Sequence, residues 1–254
     1  MRFKLPPGTR FGRKIPKTKF YEKLQAGSNL KELFVEQVDS VVWAHNLSAR
    51  TVHLEPADGI EEIQIFEIEL RQRKYSTEIL RAIDRAIPYP ILYVLRYESE
   101  EKLAIAYKER SGSDENRSVI RSYHETPWRT DDSTTDGSGQ EEAFEVLRGL
   151  NLKAVYEHIV RSLVLAEDGS RLGGADEPRV AITEQQDAEG GELPLEELLE
   201  RQARIEALQR ECDRLEAKMR REKQFNRKVE LNMELRKKQQ ELAGLSGIQI
   251  SNNG

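Results

Sequence analysis

Residues Glu62 to Leu95 read EIQIFEIELRQRKYSTEILRAIDRAIPYPILYVL, and they hold three elements in a row. Glu62 to Leu70 is a strand on which Glu62, Gln64, Phe66, Ile68 and Leu70 share one face. Ile63, Ile65, Glu67 and Glu69 share the other. Ser76 or Thr77 caps a helix through Ile79, Leu80, Ile83 and Ile87, and Pro88 and Pro90 end it because proline cannot continue the backbone ladder. Ile91-Leu92-Tyr93-Val94-Leu95 is a nearly continuous apolar run, as suits a strand covered on both faces. Strand, crossover helix and buried strand make a βαβ unit. The fold class predicted is therefore α/β, a mixed sheet with flanking helices.

Working outward, Pro16 to Leu24 reads as a short helix stopped near Gly27, and Ser28 or Asn29 caps the next. Leu30, Leu33, Phe34, Val38, Val41 and Val42 keep the 3–4 spacing of a helix, which Trp43 extends, so a helix over 29–45 is predicted. Thr51-Val52-His53-Leu54 then reads as a strand pairing with 62–70 across the turn Pro56-Ala57-Asp58-Gly59. Downstream, Leu103 to Tyr107 and Ser118 to Tyr123 continue as a meander, with turns at Glu98–Glu101 and Gly112–Asn116. Thr130 to Gly139 is a polar loop. Phe144, Leu147, Leu152, Val155, Ile159 and Leu163 mark an amphipathic helix. The organisation expected is an α/β core over 1–166, an acidic Gly-rich linker over 167–193, one long helix over 194–245 and a tail over 246–254.

That last helix is unusual. Leu195 to Ala243 is forty-nine residues without glycine or proline, a rod of roughly 70 Å at ~1.5 Å per residue. Leu198, Ile205, Cys212 and Met219 fall at heptad spacing with Leu208 and Leu215 between them, about three heptads of a coiled-coil seam. The seam falters at Glu222 and Asn226. Beyond it, Val229 and Met233 lie on one face and Leu231, Leu235 and Leu242 on another. A helix so long must cover its stripe. It either returns onto the α/β core, or its first half pairs with a copy or a partner helix through Leu198, Ile205, Leu208, Leu215 and Met219 while its second half docks on the core. The combination is the reading expected.

The chain has 254 residues, 37% apolar and 33% charged, with a net charge of −5, a balance that excludes a fully disordered protein. No apolar run approaches the ~20 residues of a membrane helix, the N-terminus lacks the apolar stretch of a signal peptide, and Cys212 has no partner for a disulfide. A cytoplasmic location follows as the expectation. The charge is segregated: nine basic residues and one acid lie between Arg2 and Lys31, acids dominate from Glu125 to Glu197, and Lys218 to Lys228 is basic again. Arg13, Lys14, Lys17, Lys19, Arg220 and Arg221 are the candidates for nucleic-acid backbone contact. The alternative is an acidic connector lying over its own basic zones.

No reaction declares itself. There is no P-loop and no GxGxxG after a strand, the histidines at 45, 53, 124 and 158 lack zinc-ligand spacing, and the lone cysteine has no partner motif. No cofactor, metal or catalytic residue is assigned. The element order is similar to the core of the PD-(D/E)xK nuclease superfamily, in which paired acids bind a divalent metal that activates water. Asp58, Glu62 with Gln64, or Glu67 with Glu69 would be the acids. Against it, the first strand is missing and no lysine stands two residues after either acid.

Several segments together resemble a bacterial family, domain of unknown function 4391. They are Ile15-Pro16-Lys17 with Phe20-Tyr21, Val42-Trp43-Ala44-His45-Asn46-Leu47-Ser48, Glu62 to Leu70, Ile79-Leu80 with Ile83 to Pro88, Ala106-Tyr107-Lys108, and Phe225-Asn226-Arg227-Lys228-Val229-Glu230-Leu231-Asn232. The resemblance transfers no active-site residue. It implies, by association, a place in restriction-like antiviral clusters with a helicase or DNA methyltransferase as partner. The expected role is a non-catalytic assembly or DNA-contacting accessory subunit. Asn226 and Asn232 interrupt the apolar pattern, either on a solvated face or as polar contacts that set register.

Overall fold

The computed structural model describes residues 3–23, 28–111, 114–130, 146–172 and 193–246. The chain divides into two units, Met1–Ile182 and Thr183–Gly254. After a 3-10 turn at Pro7–Thr9, the first unit runs β1 (Arg10–Lys14), α1 (Thr18–Lys23), α2 (Ser28–Gln37), β2 (Val38–Ser48), the single turn α3 (Ala49–Val52), β3 (Glu62–Leu70) and α4 (Glu78–Ala86). It continues with β4 (Ile91–Tyr97), β5 (Glu100–Ser111), β6 (Asp114–Glu125), β7 (Arg129–Thr130) and α5 (Leu152–Leu172). Strands β1 to β6 lie side by side in chain order, and β7 pairs with β5. β3 and β4 are parallel, joined through α4, and the other pairs are antiparallel. The βαβ unit is therefore present where the sequence put it, within a mixed seven-stranded sheet.

The segment 38–48 overturns the helix expected over 29–45. It is β2, and Thr51-Val52 belongs to α3 rather than to a strand. The cause is visible in the burial. Val38, Val41, Ala44 and Leu47 are the buried residues of β2, a spacing of three that imitates a helix. Two register shifts against β3, between Val38 and Ser40 and between Trp43 and His45, insert extra residues and turn alternation into that rhythm. Val38, Val41 and Val42 are β-branched and suit the pleated surface. His53 ends α3 in the left-handed region at φ 57°. The turn read at Pro56–Gly59 is present, with Ala57 bridged to Ile60.

One face of the sheet packs Phe66, Ile68, Leu70, Tyr93 and Leu95 against Ile79, Leu80 and Ile83 of α4 and Phe34 of α2. The alternate residues Ile63, Ile65, Leu92 and Val94 are buried as well, so the central strands are covered on both sides. α5 packs on β3, β5 and β6 through Val155, Tyr156, Ile159 and Leu163. Gly149, at φ 147°, leads into it; a Cβ there would stand 2.8 Å from Ala154 Cβ. Asn151 Oδ1 accepts the Ala154 N–H at 2.9 Å and caps the helix. Leu147 precedes α5 instead of lying on it, while Phe144, the polar loop beyond Thr130 and most of the expected linker are outside the described residues.

Two polar fasteners cross the first unit. At the β5 register shift after Tyr107, Tyr156 Oη accepts the Lys108 N–H and donates to the Ala106 carbonyl, both at 2.7 Å. Lys108 Nζ lies 2.9 Å from Asp84 Oδ1 with both side chains buried, and it donates to the carbonyls of Ile87 and Tyr89. Tyr123 Oη donates to Asp84 Oδ2 at 2.5 Å. α4 is thereby tied to β5 and β6 at the end of the crossover.

The second unit corrects the single rod. It is two helices, α6 (Leu195–Arg221) and α7 (Phe225–Ser246), packed together. Glu222 leaves the helix at φ −73°, ψ 130°, and its carboxylate accepts the N–H groups of Lys223 and Gln224 at 2.8 and 2.9 Å. A side chain satisfying two backbone donors at a helix start does what a cap does, so the chain turns without glycine or proline. The contacts run antiparallel. Arg201 donates to the Leu245 carbonyl, Arg204 pairs with Glu241, Lys238 pairs with Glu211, and Cys212 and Leu215 pack on Leu235 with Met219 and Leu231 at the margin. Among the described residues, no helix is long and apolar enough to cross a membrane.

Candidate nucleic-acid interface on the edge strand

β1 is an edge strand in which all five residues are exposed. Arg10 is registered with His45, Arg13 with Trp43 and Lys14 with Val42, so three steps on β1 meet two on β2. Gly12 takes up the extra residue at φ 63°, a conformation that favours glycine at a bulge. Phe11 remains 46% exposed, yet its ring lies 4.1 Å from that of Trp43. The Trp43 N–H donates to the His45 carbonyl at 2.9 Å, which fixes the indole. Behind Trp43 the row continues through Phe66 and Tyr93, at centroid spacings of 6.1 and 6.4 Å. The exposed ring is anchored to the core by aromatic contacts.

The sequence-predicted basic residues separate here. Arg13 and Lys14 stand exposed on β1 beside Arg10, and Lys19 is exposed on α1. Lys17 turns inward: Nζ donates to the Val38 carbonyl at 2.5 Å and to that of Phe34 at 3.4 Å, satisfying the end of α2. Its pKa is lowered by burial, then by Arg71, with Asp39 opposing. Arg220 lies 3.5 Å from Glu216, and Arg221 is exposed in the last turn of α6. His45 adds no charge near neutrality. Burial lowers its pKa, with Glu67 opposing and Arg10 reinforcing. Thr9 Oγ1 lies 3.0 Å from its Nδ1.

The seam proposed for a partner is occupied within the chain. Leu198, Ile205, Leu208 and Leu215 are buried, and Leu215 and Met219 pack with Leu231 and Leu235 of α7. Cys212 is buried in the same cluster, and burial raises its thiol pKa, which makes it a packing residue. What α7 leaves open is its other stripe: Phe225, Val229 and Met233 are 78, 43 and 68% exposed, four residues apart on one face. Asn226 and Asn232 are exposed beside it, so neither sets a buried register.

Three of the four acids weighed for metal chemistry have partners among the described residues. Glu67 pairs with Arg96 at 2.9 Å and Asp58 with Lys153 at 2.7 Å. Glu62 accepts from Asn46 Nδ2 at 3.1 Å and from Gln64 Nε2 at 2.8 Å. Among the described residues, no group of three or more His, Cys, Asp or Glu is placed to hold a metal ion. Sequence reasoning missed one constellation: Ser122 Oγ lies 2.7 Å from His124 Nε2, and His124 Nδ1 lies 3.5 Å from Glu167 Oε2. His124 is 3% exposed, and the set ties β6 to α5. The two-residue spacing of Ser122 and His124 on one strand face was its only trace in the sequence.

The family described as Domain of unknown function (DUF4391) matches residues 3–242, a span that reaches into both units. No curated protein and no solved structure matches the chain.

Proposed function

The chain belongs to the DUF4391 family, and from that premise we propose that it is a non-catalytic accessory subunit that contacts nucleic-acid backbone. The observation that carries this reading is the β1 edge, where Arg10, Arg13 and Lys14 are all exposed around a half-exposed, anchored phenylalanine. A charged edge also resists strand addition, so the charge alone would suit a plain edge; the aromatic ring among the cations favours a ligand. The defence setting rests on the family resemblance, which adds a helicase or DNA methyltransferase of the same system as partner. The surface for that partner is the open stripe of α7. Past Met233 the same face continues through Arg236 and Lys237, with Glu230 on the flank before it, so an amphipathic helix with acids facing the Arg236–Lys237 end fits it best.

The test is binding of a labelled duplex across a salt series. Replacing Arg10, Arg13 and Lys14 together by alanine should weaken binding and flatten its salt dependence, because each lost phosphate contact removes about one released counterion. Wild-type affinity that is indifferent to salt would refute backbone contact. A second reading, an active or degenerate metal-dependent nuclease, is favoured by one observation. Asn46 Oδ1 and Gln64 Oε1, beside Glu62, are buried without a hydrogen-bond partner among the described residues, and oxygens of this kind suit a hard cation.

A further inference from the structure

We propose that the β1 edge is a stacking platform for single-stranded nucleic acid, an inference that rests on the backbone-contact reading and names the form of nucleic acid it takes. Phosphate attraction needs only cations, and Arg10, Arg13 and Lys14 supply them. It gives no reason for Phe11 to sit 46% exposed on a strand otherwise made of basic residues and glycine. The ring is held at 4.1 Å on Trp43, and Trp43 is held in turn by Phe66 and by the His45 carbonyl. Phe11 therefore loses little freedom when a second flat group lands on it. A base offers such a face only when it has left the duplex stack, and stacking of this kind tolerates any sequence. The bulge at Gly12 places Arg13 directly across from Trp43, so a cation flanks the platform where the phosphate of a stacked nucleotide runs. The same bulge interrupts the edge ladder, which argues against an added peptide strand as the occupant.

The experiment uses the full chain and two labelled probes, an oligothymidylate of about twelve nucleotides and a duplex of about the same length, at low and physiological salt. Oligothymidylate should bind roughly ten-fold or more tightly than duplex. Phe11→Ala should cost at least about five-fold on oligothymidylate, leave duplex binding unchanged and leave the salt slope unchanged. Phe11→Leu, which keeps the apolar bulk and removes the flat face, should lose the same preference, and Phe11→Tyr should keep it. If both probes bind alike and Phe11→Ala changes neither, stacking is overturned while backbone contact stands. If wild type binds neither probe, both readings fall together.

Discussion

Asp84 and Lys108 show what a buried charge demands of its surroundings. Burial raises the Asp84 carboxyl pKa and lowers the Lys108 ammonium pKa, and each is countered by the other's charge. Two carbonyls and the Tyr123 hydroxyl complete the set. Removing one partner strands the other, at a cost of about 3–5 kcal/mol. Asp84→Asn or Lys108→Met should therefore lower the urea midpoint sharply, and the double variant of these two substitutions should cost less than the two singles summed. His45 gives a pH dependence of definite sign. Its folded pKa lies below the ordinary 6.5, so on acidification the unfolded chain takes up a proton that the folded chain refuses. The stability it contributes is full above 6.5, declines as pH falls from there to the lower folded value, and is flat below it. Urea midpoints across this window should fall in wild type and fall less in His45→Asn. Neither the Asp84 network nor the anchoring of Phe11 was legible in the sequence. Each joins residues from separate elements, and nothing in their local pattern distinguishes a buried lysine from a solvated one. Arg13 and Lys14 were legible because charge density needs no fold to be counted, whereas Lys17 in the same run was not, since its carbonyl partners come from α2 and β2.

At the scale of elements, the sequence reads well where its rhythm has one cause and poorly where two causes share a rhythm. β3, α4 and β4 have alternation, apolar spacing and prolines that agree. β3 and α4 begin and end close to where the residues put them, while β4 runs on past Leu95 to Tyr97. β2 has burial every third residue because bulges reset its register, a rhythm that a helix also produces. The C-terminal helices are a second case. The heptad seam of α6 was legible, but its occupant was not, because a carboxylate at Glu222 does the work usually marked by glycine. The division of α7 into two apolar faces was legible in advance from Val229 and Met233 against Leu231 and Leu235. Substitutions on those two faces should differ. Leu235→Ala empties the buried contact with Cys212 and Leu215 and should cost about 2–5 kcal/mol, seen as earlier loss of helical circular dichroism. Met233→Glu, on the exposed face, should stay within about 0.5 kcal/mol of wild type while, on the proposed function, abolishing pull-down of the proposed helicase or methyltransferase partner. A retained partner would remove α7 from the assembly role.

At the scale of the molecule, the choice between a contact subunit and a metal-dependent nuclease turns on whether the carboxylates of β3 are free to take an ion. Glu67 is engaged by Arg96, and a divalent cation would have to displace that guanidinium. Among the described residues, Glu62 is engaged by two amides, whose oxygens lie buried beside it without a hydrogen-bond partner. The two acids therefore make separable predictions. An ion that binds the folded chain and not the unfolded one raises the melting temperature by mass action. A response routed through β3 should therefore disappear in the variant that removes its ligand. We expect no rise with Mg²⁺ or Mn²⁺, no cleavage of single- or double-stranded DNA, and no difference between wild type, Glu62→Gln and Glu67→Gln in the presence of either ion. A rise that survives Glu67→Gln and vanishes in Glu62→Gln would place a cation among Asn46, Glu62 and Gln64. Joined by nicking of DNA, it would make the nuclease reading the better one. A rise that vanishes only in Glu67→Gln would mean that Arg96 yields its carboxylate to the ion, contrary to the geometry of that pair.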